Sequence, residues 1–277
     1  MYHSRLQVTC NPEYTELIMA ELGEAGFETF METEQGFEAY VEMEMYDKDQ
    51  VQHIKEKYSA QTPLVFYQDR IPKQNWNEVW EKSYEPIIVE DKCLIRADFH
   101  KIEKKYLYEL IITPKMSFGT GHHQTTYLMV KNQMDIEHRG KRVMDAGCGT
   151  AILSIMASKL GAKEVEAFDI DEWSVSNGKE NIDVNGCKNI YQQQGKLSEL
   201  LNISGMFDII LANINKNVLL DEIKLYKRFL GPGGLLVLSG FFTEDISDLL
   251  AEGAKYNLHE LKRDEREKWA SLVLING

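Results

Sequence analysis

Several features that this 277-residue sequence lacks limit what the protein can be. Its four cysteines form no C-x-x-C pair and no zinc-type spacing, so neither a disulfide framework nor a structural metal site is expected. No apolar run approaches the roughly 18 residues that span a bilayer, and the first residues lack a basic segment followed by an apolar one. Proline and glycine are too few for a disordered or fibrous chain. These absences predict a folded, cytoplasmic protein that does not enter membranes.

Positive charge is also scarce. The net charge is −13, and residues 1–60 contain four Lys or Arg against thirteen Asp or Glu, a net −9. A phosphate backbone would repel such a segment, which argues against direct nucleic-acid binding, whereas a basic protein would be attracted to it. A merely solvated, soluble surface explains the same composition, so both interpretations stay open here.

The first seventy residues predict a small α+β domain of the ferredoxin-like type, with the order β-α-β-β-α-β. Its strands are recognised by apolar and polar alternation, and its first helix by Pro12 in the first turn. Residues 71–90 are predicted to be a linker, in which Trp76 and Trp80 are four apart and would share one helix face. The predicted elements are "RLQVTC", a helix from Asn11 to about Ala25, "FETFME", "FEAYVEM", a helix near 47–58, and "LVFYQDR".

Residues 91–277 predict a second domain. It opens with two β-rich stretches, and from Lys141 onward short apolar runs alternate with helical segments, which specifies a mainly parallel sheet with helices on both faces. The last two runs, "LHELKRDE" and "WASLVLI", have no helix between them and predict an antiparallel hairpin at the sheet edge. The predicted fold class is therefore α/β, a Rossmann-like sheet that follows the α+β domain.

A glycine loop, "MDAGCGTAILSI", stands where the first strand of this sheet should turn into a helix. Gly147 and Gly149 permit a tight turn and close approach of a ligand. The dinucleotide fingerprint would need a third glycine at Ile152, and the G-K-[ST] of a P-loop is absent. The run Asp145-x-Gly-x-Gly instead resembles the first motif of class I S-adenosylmethionine-dependent methyltransferases. A structural strand-to-helix turn is the alternative.

Two polar residues should reach the same edge of the sheet. Asp169 ends the second strand, just before Ile170, and a carboxylate there can accept hydrogen bonds from both ribose hydroxyls of an adenosine ligand. Asp171 is more typical of a helix N-cap. Asn213 ends the fourth strand, where methyltransferases of amide or amine nitrogens often carry an Asn. The prolines and aromatic residue of the usual Asn-Pro-Pro-Tyr motif are missing, which argues against DNA-adenine and glutamine methyltransferases.

The stretch "FGTGHHQTT" at residues 118–126 resembles the F-G-T-G-x-H-P-T-T signature of the PrmA-type methyltransferases, which modify the eleventh protein of the large ribosomal subunit. The resemblance extends to "WNEVWEKSYEPI", "FDID", "LANI", "LSGFF" and "EKWASLVL". It implies a ferredoxin-like domain that grips the substrate. The chain departs from the family pattern at Gln124, which stands in place of proline, at His122, and at Ala151, which stands in place of glycine.

The resemblance also implies a set of site residues. S-Adenosylmethionine would be contacted by Thr126, Gly147, Asp169 and Asn213, with Asp145, Gly149 and Ile170 beside them, and covered by a loop of Phe118, Gly119, Thr120 and Gly121. His123 would either hold this loop or contact substrate. The adjacent His122 and His123 diverge and have no third ligand nearby, so no metal is expected.

The function that follows is transfer of methyl groups from S-adenosylmethionine to lysine amines of a basic ribosomal protein, with the N-terminal amine as a further candidate acceptor. Asn213 is the catalytic candidate, because its carbonyl can orient the amine. The enzyme is expected to be a monomer. The alternatives are a methyltransferase for another protein, RNA or a small molecule, and a catalytically silent binding protein that keeps the fold.

Overall fold

The computed structural model divides into two compact units, Met1–Tyr84 and Glu85–Gly277. It describes residues 2–33, 35–59, 61–72, 84–113, 115, 117–199 and 203–277. Trp76 and Trp80 lie outside the described residues, so their shared helix face stays a prediction. Residues 85–90, at the end of the predicted linker, belong to the second unit.

Unit 1 has the predicted order β-α-β-β-α-β. Its strands form an antiparallel sheet in the order β2-β3-β1-β4. Leu6 and Phe37 pack with Ile18 and Ile54 of the helices on one face, and the alternate positions, such as Arg5, lie on the other. The elements are β1 (Tyr2–Thr9), α1 (Pro12–Glu24), β2 (Thr29–Thr33), β3 (Gly36–Glu42), α2 (Lys48–Ser59) and β4 (Val65–Pro72).

Unit 2 begins with a three-stranded sheet of β5 (Ile87–Val89), β6 (Cys93–Arg96) and β7 (Tyr108–Ile111). The two β-rich stretches of the sequence thus form shorter strands than the apolar runs suggest. Strand β6 pairs antiparallel with β5 and parallel with β7.

A seven-stranded sheet forms the body of unit 2, in the order β10-β9-β8-β11-β12-β14-β13. The first five strands are parallel, and β14 is antiparallel to both of its neighbours. The predicted mainly parallel sheet with an antiparallel hairpin is confirmed. Its elements are α3 (Gln124–Met134), β8 (Arg142–Ala146), α4 (Ile152–Lys159), β9 (Glu164–Asp169), α5 (Glu172–Val184), β10 (Ile190–Gln194), β11 (Phe207–Asn213), α6 (Lys216–Phe229), β12 (Leu230–Phe242), a 3-10 turn at Thr243–Asp245, α7 (Ile246–Ala254), β13 (Leu258–Arg266) and β14 (Trp269–Asn276).

Helix α3 overlaps the motif at residues 118–126. The helix begins at Gln124, so Thr126 lies in its first turn and not in the loop of Phe118 to Gly121. The start of the helix is hard to recognise because two threonines, weak helix formers, stand there. It is stabilised by tertiary packing, since Leu128 and Met129 are fully buried.

Both faces of the large sheet are covered. Val143 and Ile209 belong to the apolar cluster on one face, and their neighbours Met144 and Ile210 belong to the cluster on the other. Strands of a parallel sheet are normally buried on both faces in this way, which leaves the carboxyl ends of the strands for a ligand. Among the described residues, no helix is long and apolar enough to span a bilayer.

Candidate active site

A cavity of about 480 Å³ lies within unit 2, where β8, β9 and β11 end. The ends of parallel neighbours meet at one edge, so the predicted residues of three separate motifs come together there. Six of them line the cavity, and five do not. The six are Phe118, Gly147, Gly149, Asp169, Ile170 and Asn213; the five are Gly119, Thr120, Gly121, Asp145 and Thr126.

The loop at residues 118–121 and the glycine loop at residues 147–149 are in direct contact. Gly149 has φ +52°, and a Cβ at that position would lie 2.4 Å from the carbonyl oxygen of Phe118. Gly147 has φ +67°, and its Cβ would lie 2.5 Å from Cγ2 of Ile214. Thr150 connects the loops further, because its N–H donates to the Phe118 carbonyl at 3.0 Å and its hydroxyl to the Gly119 carbonyl at 2.6 Å. Glycine is therefore needed for loop packing as well as for ligand access.

Asp169 is oriented by backbone donors. Its Oδ2 accepts the N–H of Gly149 at 2.9 Å, and its Oδ1 accepts the N–H of Asp171 at 3.0 Å. A carboxylate has about four acceptor positions, so two remain, which suits a pair of vicinal hydroxyls. Asp171 has the predicted N-cap role, because its Oδ2 accepts the N–H of Ser174 at 2.8 Å.

Three predicted site residues have a buried oxygen that lacks a hydrogen-bond partner among the described residues. These atoms are the side-chain carbonyl oxygen of Asn213, the hydroxyl of Thr126 and Oδ1 of Asp145. Buried polar atoms are nearly always paired in folded proteins. Of these residues only Asn213 lines the cavity, so a polar ligand there can supply a partner to its oxygen.

Asp145 lies below the glycine loop, away from the cavity wall. It is fully buried on β8, and its Oδ2 accepts the Ser154 hydroxyl of α4 at 2.5 Å. Burial raises the pKa of this carboxyl to about 7. Asp145 therefore links strand β8 to helix α4, which follows it in the chain.

Trp269 and His123 line the cavity too. The sequence indicates no site role for Trp269, and for His123 it leaves open a loop-holding role or a contact with substrate. The Trp269 ring lies 4.5 Å from that of His123 and 4.2 Å from that of Phe242. The pairing of β12 with β14 sets Phe242 directly opposite Trp269. The motif "EKWASLVL" signals this tryptophan, but only the strand pairing brings it to the cavity.

The fold and this site define a class I methyltransferase. The sheet order, the glycine loop after β8 and the acidic residue ending β9 are its features. Residues 4–276 match the family model described as ribosomal protein L11 methyltransferase (PrmA). The chain belongs to this family.

Relatives named ribosomal protein L11 methyltransferase align with nearly the whole chain. The ribosomal protein L11 methyltransferase of Porphyromonas gingivalis is 44% identical over 272 residues, covering 98% of this chain and 93% of the relative. That of Bacteroides fragilis is 39% identical over 268 residues, covering 96% and 95%. The crystal structure of ribosomal protein L11 methylase from Lactobacillus delbrueckii subsp. bulgaricus is 29% identical with a TM-score of 0.63, covering 69% of this chain and 98% of that one. The predicted family and fold class are confirmed.

Proposed function

We propose that this protein transfers methyl groups from S-adenosylmethionine to lysine side-chain amines of ribosomal protein L11, with its N-terminal amine as a further candidate acceptor. The observation that carries the proposal is the Asp169 carboxylate, which two backbone N–H groups orient beside the glycine loop at the wall of the cavity. Family membership supports methyl transfer as the reaction and L11 as the acceptor.

The cavity fits S-adenosylmethionine, which would supply the activated methyl group. Its volume of about 480 Å³ falls in the usual range for small-molecule sites. Asp169 would hold the ribose hydroxyls, and Ile170, which is 65% exposed, would offer an apolar contact to the adenine. The unpaired side-chain oxygen of Asn213 would bind a polar group of the methionine portion.

Methyl transfer needs a neutral amine placed in line with the departing sulfur. A lysine with a reference pKa of about 10.4 must lose its proton, which at pH 7 costs roughly 4 to 5 kcal/mol in solution. Burial against Trp269 and Phe118 would lower the pKa of that lysine, and so would a nearby positive sulfonium. A strong general base is then not required. Asn213 acts as the catalytic residue, because its carbonyl oxygen can accept a hydrogen bond from the amine and orient it.

Unit 1 supplies the docking surface for the substrate. Residues 1–70 recognise L11, residues 71–90 link the two domains, and residues 91–277 catalyse methyl transfer. The thirteen acidic residues of residues 1–60 suit a basic ribosomal protein. Both helices of unit 1 pack on one face of its sheet, and the other face presents Tyr67, 58% exposed. On this face Arg5 donates to Asp69 at 2.7 Å and to Glu38 at 3.3 Å, which orders the two carboxylates. Direct nucleic-acid binding is not part of the proposal.

The test uses the full chain with isotope-labelled S-adenosylmethionine and a ribosomal extract, read by mass spectrometry of intact and digested proteins. We expect methyl groups on lysines of L11, and fewer of them with the Asp169→Asn variant when S-adenosylmethionine is below saturation. If labelled methyl groups appear on another protein or on RNA while L11 stays unmodified, that molecule and not L11 is the acceptor. Failure to retain labelled cofactor in equilibrium dialysis would favour the silent binding protein.

A further inference from the structure

His123 joins parts of the cavity wall that are far apart in the sequence. Its ring lies 5.4 Å from that of Phe118, at an interplanar angle of 58°, and 4.5 Å from that of Trp269, at 71°. Phe242 packs on Trp269 at 4.2 Å, so four aromatic rings form a row. Tilted and edge-on ring pairs of this kind are favourable. The His123 ring is the bridge between the loop that carries Phe118 and the strand that carries Trp269.

The His123 side chain caps the helix that follows it. Nδ1 accepts the backbone N–H of Thr125 at 3.3 Å and so caps α3, which requires a lone pair on that nitrogen. The same Nδ1 lies 2.8 Å from the Thr125 hydroxyl oxygen. Burial lowers the pKa of His123, which favours the neutral ring. An uncharged ring can remain packed between Phe118 and Trp269 without needing solvation.

The turn before Trp269 is attached to the same region. Gln124 donates from Nε2 to Oε1 of Glu267 at 2.9 Å, and the N–H of Thr243 donates to the carbonyl of Lys268 at 2.9 Å. The start of α3 and the turn between β13 and β14 are thus connected by a hydrogen bond as well as by ring contacts. A substitution at His123 should therefore change the position of the Trp269 ring.

We infer that His123 is a positioning residue whose ring holds Phe118 and Trp269 in place on the cavity wall, so that cofactor and amine acceptor are both bound in a defined geometry. The inference deepens the proposed function and rests on it. Within this role the helix cap and the ring bridge are separate properties of one side chain, and substitutions can separate them.

Two variants make that separation. His123→Asn keeps a good N-cap but removes the ring, so any fall in its melting temperature reports the lost ring pairs and not the helix cap. Loss of two ring pairs should raise the dissociation constant of S-adenosylmethionine and lower kcat/KM for L11, each by roughly fivefold or more. His123→Phe keeps a ring but loses the cap, so it should melt earlier while kcat/KM stays within about threefold of wild type. His122→Asn, the same change one residue earlier at an exposed position, should stay within about twofold.

The decisive measurement is calorimetric titration of S-adenosylmethionine, because it needs no acceptor. Wild-type cofactor affinity in His123→Asn would overturn the inference, as would an active His123→Asn beside an inactive but folded His123→Phe. Equal losses of cofactor affinity and of kcat/KM in both variants, at unchanged melting temperature, would also overturn the inference. The imidazole would then act on the reactants itself. A wild-type protein that binds cofactor but methylates no L11 would count against the proposed function alone.

Discussion

The backbone N–H of Gly149 donates to Oδ2 of Asp169 at 2.9 Å, linking the loop after β8 to the end of β9. The two strands are parallel neighbours, so their ends meet at the same edge of the sheet. The hydrogen bond holds the carboxylate in one orientation before any ligand arrives. It explains why a glycine loop and an acidic residue twenty positions apart act as one site.

Asp169→Asn should weaken S-adenosylmethionine binding by roughly tenfold or more, because charge-assisted hydrogen bonds contribute about 1.5 to 3 kcal/mol. Calorimetric titration measures the change. Asp171→Asn is the matched control: it makes the same substitution two residues later and keeps an N-cap for α5. Equal losses in the two variants would contradict the ribose role of Asp169.

Asn213→Ala should lower kcat at saturating S-adenosylmethionine, on the order of tenfold or more, because the carbonyl that orients the amine is removed. Steady-state kinetics with L11 give kcat. Asn217→Ala, at an exposed position in the first turn of α6, should leave kcat unchanged. Unchanged turnover in Asn213→Ala would rule out the orienting role.

Ala151 is fully buried with φ +62°, a conformation that suits glycine. Ala151→Gly relieves backbone strain but removes a buried methyl group and loosens the unfolded chain, so the free energy of unfolding should change by less than about 1 kcal/mol. Ala151→Val adds a branched side chain in the same conformation and should destabilise by about 3 kcal/mol or more. Urea unfolding compares the two; equal stabilities would contradict the strain at this position.

Asp145 should make stability depend on pH. Its pKa is raised from 3.8 to about 7, so the folded protein holds a proton that the unfolded chain releases at lower pH. The stabilisation is complete below the unfolded pKa and is lost as the pH rises through about 7. The stability of Asp145→Asn relative to wild type should therefore increase from pH 5 to pH 7, by at most about 1.4 kcal/mol per pH unit.

The difference in stability between wild type and Asp145→Asn isolates the contribution of Asp145 from those of other titrating groups. Burial lowers the pKa of His123 and of His138, so their contributions are lost as the pH falls below about 6.5 and oppose the effect of Asp145. Urea midpoints at pH 5, 6, 7 and 8 give the comparison. Parallel curves for Asp145→Asn and wild type would show that the carboxyl does not titrate in this range.

A chain that begins at Glu85 should keep S-adenosylmethionine binding and lose methylation of L11, because the lining residues of the cavity belong to unit 2. Calorimetric titration and mass spectrometry measure the two properties separately. Loss of cofactor binding together with methylation would argue against a separate recognition unit.

The alternation of apolar runs and helical segments determined the parallel sheet, because strand and helix periods are local properties of the sequence. The positions of Gly147, Gly149 and Asp169 at one edge follow from that pattern, since parallel strands bring their ends together. Helix α3 was not predicted, because weak helix formers begin it and packing stabilises it. The side on which Asp145 lies was also undecided, although on β8 it shares the alternation of Val143 and therefore faces α4.

Only the tertiary structure decided that Trp269 and His123 line the cavity. The sequence predicts two final strands without a helix between them, but not which of the two pairs with β12. The structure inserts β14 between β12 and β13 and sets Phe242 opposite Trp269. The aromatic row across the cavity wall depends on that pairing, which joins residues distant in the chain. Local patterns specify each strand, whereas strand order and register depend on how the whole sheet packs.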